Sequence, residues 1–326
     1  MAVILVIGII FALGIGFLIF YLIRSGVLRG KSAAAKNTSE KNENLQIIKT
    51  AKAAVESEPK NAEAHYNLGM ALLAEGRSEQ AFREFKSVSR LGFEGKNIPE
   101  IEFRQTIAKL YVQFKESEEG LKEYLLLIKN QPENPEYYFC AGAIFGSRNR
   151  MDLAENYYKK AISLNPKEAK YYVELGEMLY QEKKHREAGI TLDEALRIDQ
   201  NNVKALFFRG KALKDNKEYA EALRYFEKAS RDQEFKVHAL IESGSCYMSL
   251  KMTDRAIADL ERAIKIVENE DGTDSLYARY FLGMCYEDKQ EIPKAIEQYQ
   301  KIYAKKKNFL DVGEKLIEYQ ENNQSK

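Results

Sequence analysis

Tryptophan is absent from the 326 residues, and cysteine and histidine occur only three times each. Cys140, Cys246 and Cys285 lie far apart with no Cys-x-x-Cys pair, which excludes a disulfide framework and a cysteine-rich zinc site. Sparse, scattered cysteine agrees with a reducing compartment. His65, His185 and His238 stand in distant segments with no partner ligand at metal-binding spacing, so no metal and no other cofactor is expected. Charge of one sign is also missing: 50 basic residues meet 49 acidic ones, and nothing in that balance draws the chain to nucleic acid. The segment LGFEGKN (91–97) lacks the first glycine of a phosphate loop, and Asn97 stands where Ser or Thr should hold magnesium. No arrangement of carboxylates frames a pocket, so the sequence gives no reason to expect an enzyme.

What is present begins with AVILVIGIIFALGIGFLIFYLI, residues 2–23, without a single charge. As a helix rising about 1.5 Å per residue it would be about 33 Å long, enough to cross a hydrocarbon core of about 30 Å. The run is too long for a cleaved signal, and no basic residue precedes it. Residues 1–24 are therefore expected to be a single-pass transmembrane anchor. Arg24, Arg29, Lys31 and Lys36 all follow it, which places the C-terminal part on the cytoplasmic side of the cell (inner) membrane. Gly8, Ala12 and Gly16 form a small-residue stripe through which the anchors of a homodimer could meet closely. Residues 25–44 read as a polar, flexible linker.

Beyond the linker the chain repeats. AENYYKKAISLNP from 154 returns as AGITLDEALRIDQ from 188, ALRYFEKASRDQE from 222, AIADLERAIKIVE from 256 and AIEQYQKIYAKKK from 295, and two versions precede it at 81 and 120. The step is 34 residues, with five more added twice, at Lys96–Glu100 and Asp271–Ser275. Each unit holds two apolar patterns of helical spacing, as in Tyr138, Ala141, Gly142 and Phe145, then Ala154, Tyr158 and Ala161, separated by a short polar break. Every unit is thus expected to be a helical hairpin, and a fixed period of this size marks a stacked array.

A Leu-Gly pair or its equivalent recurs at Leu68-Gly69, Ile107-Ala108, Ala141-Gly142, Leu175-Gly176, Arg209-Gly210, Ser243-Gly244 and Leu282-Gly283. In the second helices a small residue is followed four later by a large one, as in Ala81 with Phe85 and Ala222 with Phe226. This pattern resembles the tetratricopeptide repeat, over most of the chain. The resemblance implies an all-α, right-handed superhelical solenoid over residues 45–320, preceded by the one transmembrane helix. Its units are 62–95, 101–134, 135–168, 169–202, 203–236, 237–270 and 276–309, with a capping helix at 309–320 and a tail at 321–326. Small residues are needed where two helix backbones cross closely, and the large neighbour fills the space beside them.

In such proteins first helices line a concave groove that receives partners. The resemblance puts Tyr66, Met70, Lys109, Phe139, Phe207, Phe208, Lys211, Tyr280, Phe281 and Met284 on that groove, with a basic spot at Lys204, Lys211 and Lys214. Chaperone-binding members clamp a carboxylate there, but the matching positions hold Tyr66, Met70, Thr106, Glu136 and Cys140, and none fits. The groove is instead expected to take apolar or aromatic-anchored segments of partner proteins, helical or extended. The function this implies is a membrane-tethered scaffold or adaptor. An organelle-surface targeting receptor, a non-catalytic regulatory subunit and a periplasmic assembly factor remain open as alternatives.

Overall fold

The computed structural model describes residues 33–93, 96–267 and 272–324. Among them are sixteen helices and no strand. The transmembrane segment expected at 2–23, with its Gly8, Ala12 and Gly16 stripe, lies outside the described residues. Among the described residues no helix is long and apolar enough to cross a membrane.

The helices are α1 (Ala33–Ser57), α2 (Ala62–Ala74), α3 (Ser78–Leu91), α4 (Glu100–Gln113), α5 (Ser117–Asn130), α6 (Pro135–Ser147), α7 (Met151–Leu164), α8 (Ala169–Gln181), α9 (His185–Ile198), α10 (Val203–Asp215), α11 (Tyr219–Ala229), α12 (Lys236–Ser249), α13 (Thr253–Ile266), α14 (Thr273–Asp288), α15 (Ile292–Lys305) and α16 (Val312–Gln324). From α2 to α15 they alternate as first and second helices of seven units. The spacer expected up to residue 44 is different: α1 runs unbroken from Ala33, where Ala33, Ala34 and Ala35 bring high helix propensity. The second five-residue insertion is partly absorbed as extra helix, since α14 starts at Thr273 and Ser275 is fully buried in it.

The chain divides into two compact units, residues 1–103 and 104–326. In the first, Asn61 caps α2 by accepting from the backbone N–H of Glu63 and Ala64 at 2.9 and 3.2 Å. Phe85 of α3 is fully buried and stacks edge-on to Phe103, with ring centroids 6.0 Å apart. His65 is a structural residue: Glu84 of α3 lies 2.6 Å from Nδ1 and the Pro59 carbonyl 3.0 Å from Nε2, tying the α1–α2 connection to the hairpin.

In the second unit the second helices α7, α9, α11, α13 and α15 each pack on their own first helix and on the first helix that follows. First helices also touch directly, α8 on α10 and α12 on α14. The hairpin crossings follow the small-against-large pattern. A Cβ placed on Gly176 would lie 2.6 Å from Leu192 Cγ, and one on Gly283 would lie 2.6 Å from Tyr299 Cε1. Nothing bulkier than hydrogen fits at either site.

The hairpin turns share a second regularity. Gly76, Lys115, Asn149, Lys183, Lys217, Lys251 and Gln290, one per unit, adopt positive φ between 57° and 73°. In each the following N–H returns to a carbonyl in the last turn of the first helix, as Glu218 N–H does to Leu213 O at 2.9 Å. This closes the helix in a left-handed cap normally given to glycine, here filled mostly by lysine. At the far end, Phe309 and Val312 are buried with Tyr299, and Leu316 and Tyr319 of α16 pack on the same cluster.

Candidate interaction surface

The expected groove residues separate by burial. Tyr66 and Phe207 are only 8% and 6% exposed, so the expectation that they present their rings to a partner is corrected. Tyr66 lies between Phe85 and Phe103, at centroid distances of 6.1 and 6.3 Å. Phe207 packs between adjacent hairpins against Phe226, Phe235 and the His238 ring. One residue further round α10, Phe208 remains half-buried, 5.8 Å from the Tyr180 ring of α8. A step of one residue turns a side chain by about 100° on a helix, which is the whole difference between core and surface here.

Met70 and Phe139 are half-buried and Lys109 is exposed. Tyr280 and Phe281 are half-buried against the Phe309 cluster, and the Tyr280 hydroxyl donates to Asp311 at 2.8 Å. Met284 lines a surface hollow with Met248, Lys251, Thr253 and Asp288. Tyr277, one turn before Phe281 on α14, is 38% exposed and 6.2 Å from it in a stacked pair.

The basic spot is corrected by charge pairing. Lys204 reaches Glu174 and Glu177 of α8, both at 2.6 Å, and Lys214 bonds Glu242 of α12. Burial works against the charge of Lys204, but the bonds to Glu174 and Glu177 outweigh it and raise its pKa. For Lys214, burial opposes the charge and the Glu242 carboxylate restores it. Lys211 has Glu242 at 4.0 Å and stands over three rings, 4.9 Å from Tyr180, 5.6 Å from Phe207 and 5.7 Å from Phe208. A cation over aromatic faces is held by their quadrupoles. The same device recurs one hairpin earlier: Lys170 pairs with Glu136 at 2.7 Å and lies 5.2 Å from the Phe139 ring. The first-helix face therefore carries aromatic rings and neutralised lysines rather than a positive field.

Cys140, beside Phe139, is half-buried, and burial pushes its thiol pKa up. That is the opposite of what an activated thiolate needs. Tyr180 is likewise pushed up, by burial and then by the bond from its hydroxyl to Asp215 at 2.6 Å. Among the described residues no three His, Cys, Asp or Glu side chains gather as a metal site.

Tetratricopeptide-repeat models match residues 50–83, 141–203 and 209–272. The chain belongs to the tetratricopeptide-repeat family, whose members are in general non-catalytic protein-interaction scaffolds. Compared with curated proteins, the sequence has no significant match. Among solved structures it is similar to PilF of Pseudomonas aeruginosa, at 16% identity over 67% of this chain and 97% of that one, with a TM-score of 0.57. A tetratricopeptide repeat protein of Parabacteroides merdae is 16% identical over 78% of this chain and 97% of its own, with a TM-score of 0.56. YrrB, described as a repeat protein with an unusual peptide-binding site, is 22% identical over 58% of this chain and 95% of its own, with a TM-score of 0.50. At these identities the likeness is one of fold.

Proposed function

We propose that the chain is a membrane-tethered adaptor that holds segments of partner proteins on its first-helix face. Supporting the tether is the uncharged run at 2–23 followed by Arg24, Arg29, Lys31 and Lys36, which would keep the repeats cytoplasmic. The observation that carries the binding role is the row of half-buried rings, Phe139, Phe208, Tyr280 and Phe281, on first helices that also touch one another. Aromatic side chains with one face still wet supply most of the energy of such interfaces. Neutralised lysines beside them favour an apolar or aromatic-anchored segment over an acidic tail.

The test has two parts. Protease added to intact cells should leave the repeats uncut, and cutting them would overturn the cytoplasmic orientation. The full chain, solubilised in mild detergent, should retain a defined partner that is weakened about tenfold or more by Phe208→Ala, a loss of about 1.4 kcal/mol. Retention unchanged by Phe208→Ala and by Phe281→Ala would overturn the assigned face.

A further inference from the structure

Of the three histidines only His65 is buried, at 9% exposure. Both of its ring nitrogens face oxygens that can only accept: the Glu84 carboxylate of α3 lies 2.6 Å from Nδ1, and the Pro59 carbonyl lies 3.0 Å from Nε2. A neutral imidazole carries one N–H, so it donates to one of them and sets a bare nitrogen against the other oxygen. Only the doubly protonated ring donates to both. His185 and His238 differ. Each has one aspartate, at 3.7 and 3.5 Å, too far for a strong hydrogen bond, and neither ring is buried.

The charges around the ring supply no other donor. Among the described residues Glu84 has no hydrogen-bond or ion partner besides His65. α2 packs on α1 and α3. On α3, Arg83 turns to Glu79 at 2.5 Å. In α1 and its connection to α2, Lys52 pairs with Glu56 at 3.9 Å, Glu58 accepts from the Asn61 side chain at 2.7 Å, and Lys49 and Lys60 are exposed. On α2 itself Glu63 accepts from the Asn97 N–H at 2.9 Å.

We propose that a proton on His65 latches α1 to the first hairpin. With the imidazolium in place, the connection at Pro59 and the helix α3 are held on two sides of one ring. When the proton leaves, one bond is kept and the other released, and α1 opens from α2 more often. In a buried setting water does not readily replace the lost bond. Stabilisation by a cation with two acceptors is present at low pH and is lost as pH rises through the range in which histidine titrates, about pH 6–7. In sequence α1 joins the uncharged run at 2–23 to the repeats, so the latch acts on the connection through which the proposed tether reaches them. It goes beyond the adaptor reading and uses no residue of the proposed binding face.

The test is hydrogen exchange of the full chain in mild detergent, corrected for the intrinsic effect of pH and read over residues 45–60 at pH about 5.5 and about 8. Opening of that stretch is expected to be about tenfold or more greater at the higher pH. Glu84→Gln separates the latch from ordinary packing. Its amide N–H can donate to a neutral Nδ1 while the Nε2–H donates to Pro59, so both bonds form without the extra proton. The pH dependence should therefore vanish in Glu84→Gln, with residues 45–60 protected at both pH values as the parent is at the lower one. His65→Gln should show the greater opening at both. Equal protection of the parent at the two pH values, or a Glu84→Gln variant as pH-dependent as the parent, would overturn the proposal.

Discussion

Gly210 and Phe226 touch across the crossing of α10 and α11 so closely that a Cβ on the glycine would lie 2.7 Å from the phenyl Cε1. Gly210→Ala gains helix propensity worth about 0.5–1 kcal/mol but must displace a fully buried ring, and overpacking of that kind costs about 1–3 kcal/mol. The expected net effect is destabilisation, read as a lower urea midpoint. Gly146 is the control. Its nearest neighbour to an added Cβ is Ala154 Cβ at 3.8 Å, so Gly146→Ala should stabilise by about 0.5–1 kcal/mol.

Lys217 sits at φ 66° and closes α10, its own N–H bonding Lys214 O at 2.8 Å. A left-handed backbone costs a side-chain-bearing residue about 1–2 kcal/mol, part of which is offset by the greater freedom of glycine in the unfolded chain. Lys217→Gly should therefore raise stability by about 0.5–1 kcal/mol, measured by denaturant unfolding. Gly76→Ala, at φ 73°, should lower it by a similar amount.

Adjacent phenylalanines on α10 should behave in opposite ways. Phe207→Ala removes a ring buried against Phe226 and Phe235 and is expected to cost about 3–5 kcal/mol of stability. Phe208→Ala, at a half-buried site, should cost clearly less in the same unfolding experiment and act instead on partner retention.

Glu155 of α7 accepts from Lys159 at 2.6 Å and lies 3.2 Å from Lys184 at the start of α9, linking two hairpins. The hydrogen bond from Lys159 leads in lowering its pKa below the ordinary carboxylate range. A depressed folded-state pKa contributes stability that is present above the unfolded value and lost as pH falls through the folded one. Glu155→Gln should thus lower the melting temperature at neutral pH, and the gap from the parent should close on acidification below pH about 4. A gap that stays constant with pH would contradict the assigned linkage.

The 34-residue step and the recurring small and large positions were legible because both are local counts along the chain, whereas which glycine meets which side chain, Gly176 with Leu192 and Gly283 with Tyr299, came from the structure. The left-handed turns were hidden because lysine, not glycine, fills most of them. The neutralised lysines were hidden for another reason. Their partners come from neighbouring hairpins, 30 residues away for Glu174 and Lys204 and 28 for Glu242 and Lys214, and no helix-face count pairs them. Phe207 and Phe208 could not be ranked from periodicity, since neighbours on a helix differ only in which side meets the next hairpin. The helix over residues 33–44 was masked by polar composition that reads equally as linker.

The most direct measurement of the account is a comparison of partner affinity between two faces of the full chain. Phe208→Ala and Phe281→Ala alter first helices, and Ile190→Ala removes an isoleucine 59% exposed on the second helix α9. The account predicts affinity reduced about tenfold or more for each of the first two and unchanged for the third. Loss of binding with Ile190→Ala and retention with both phenylalanine variants would contradict it.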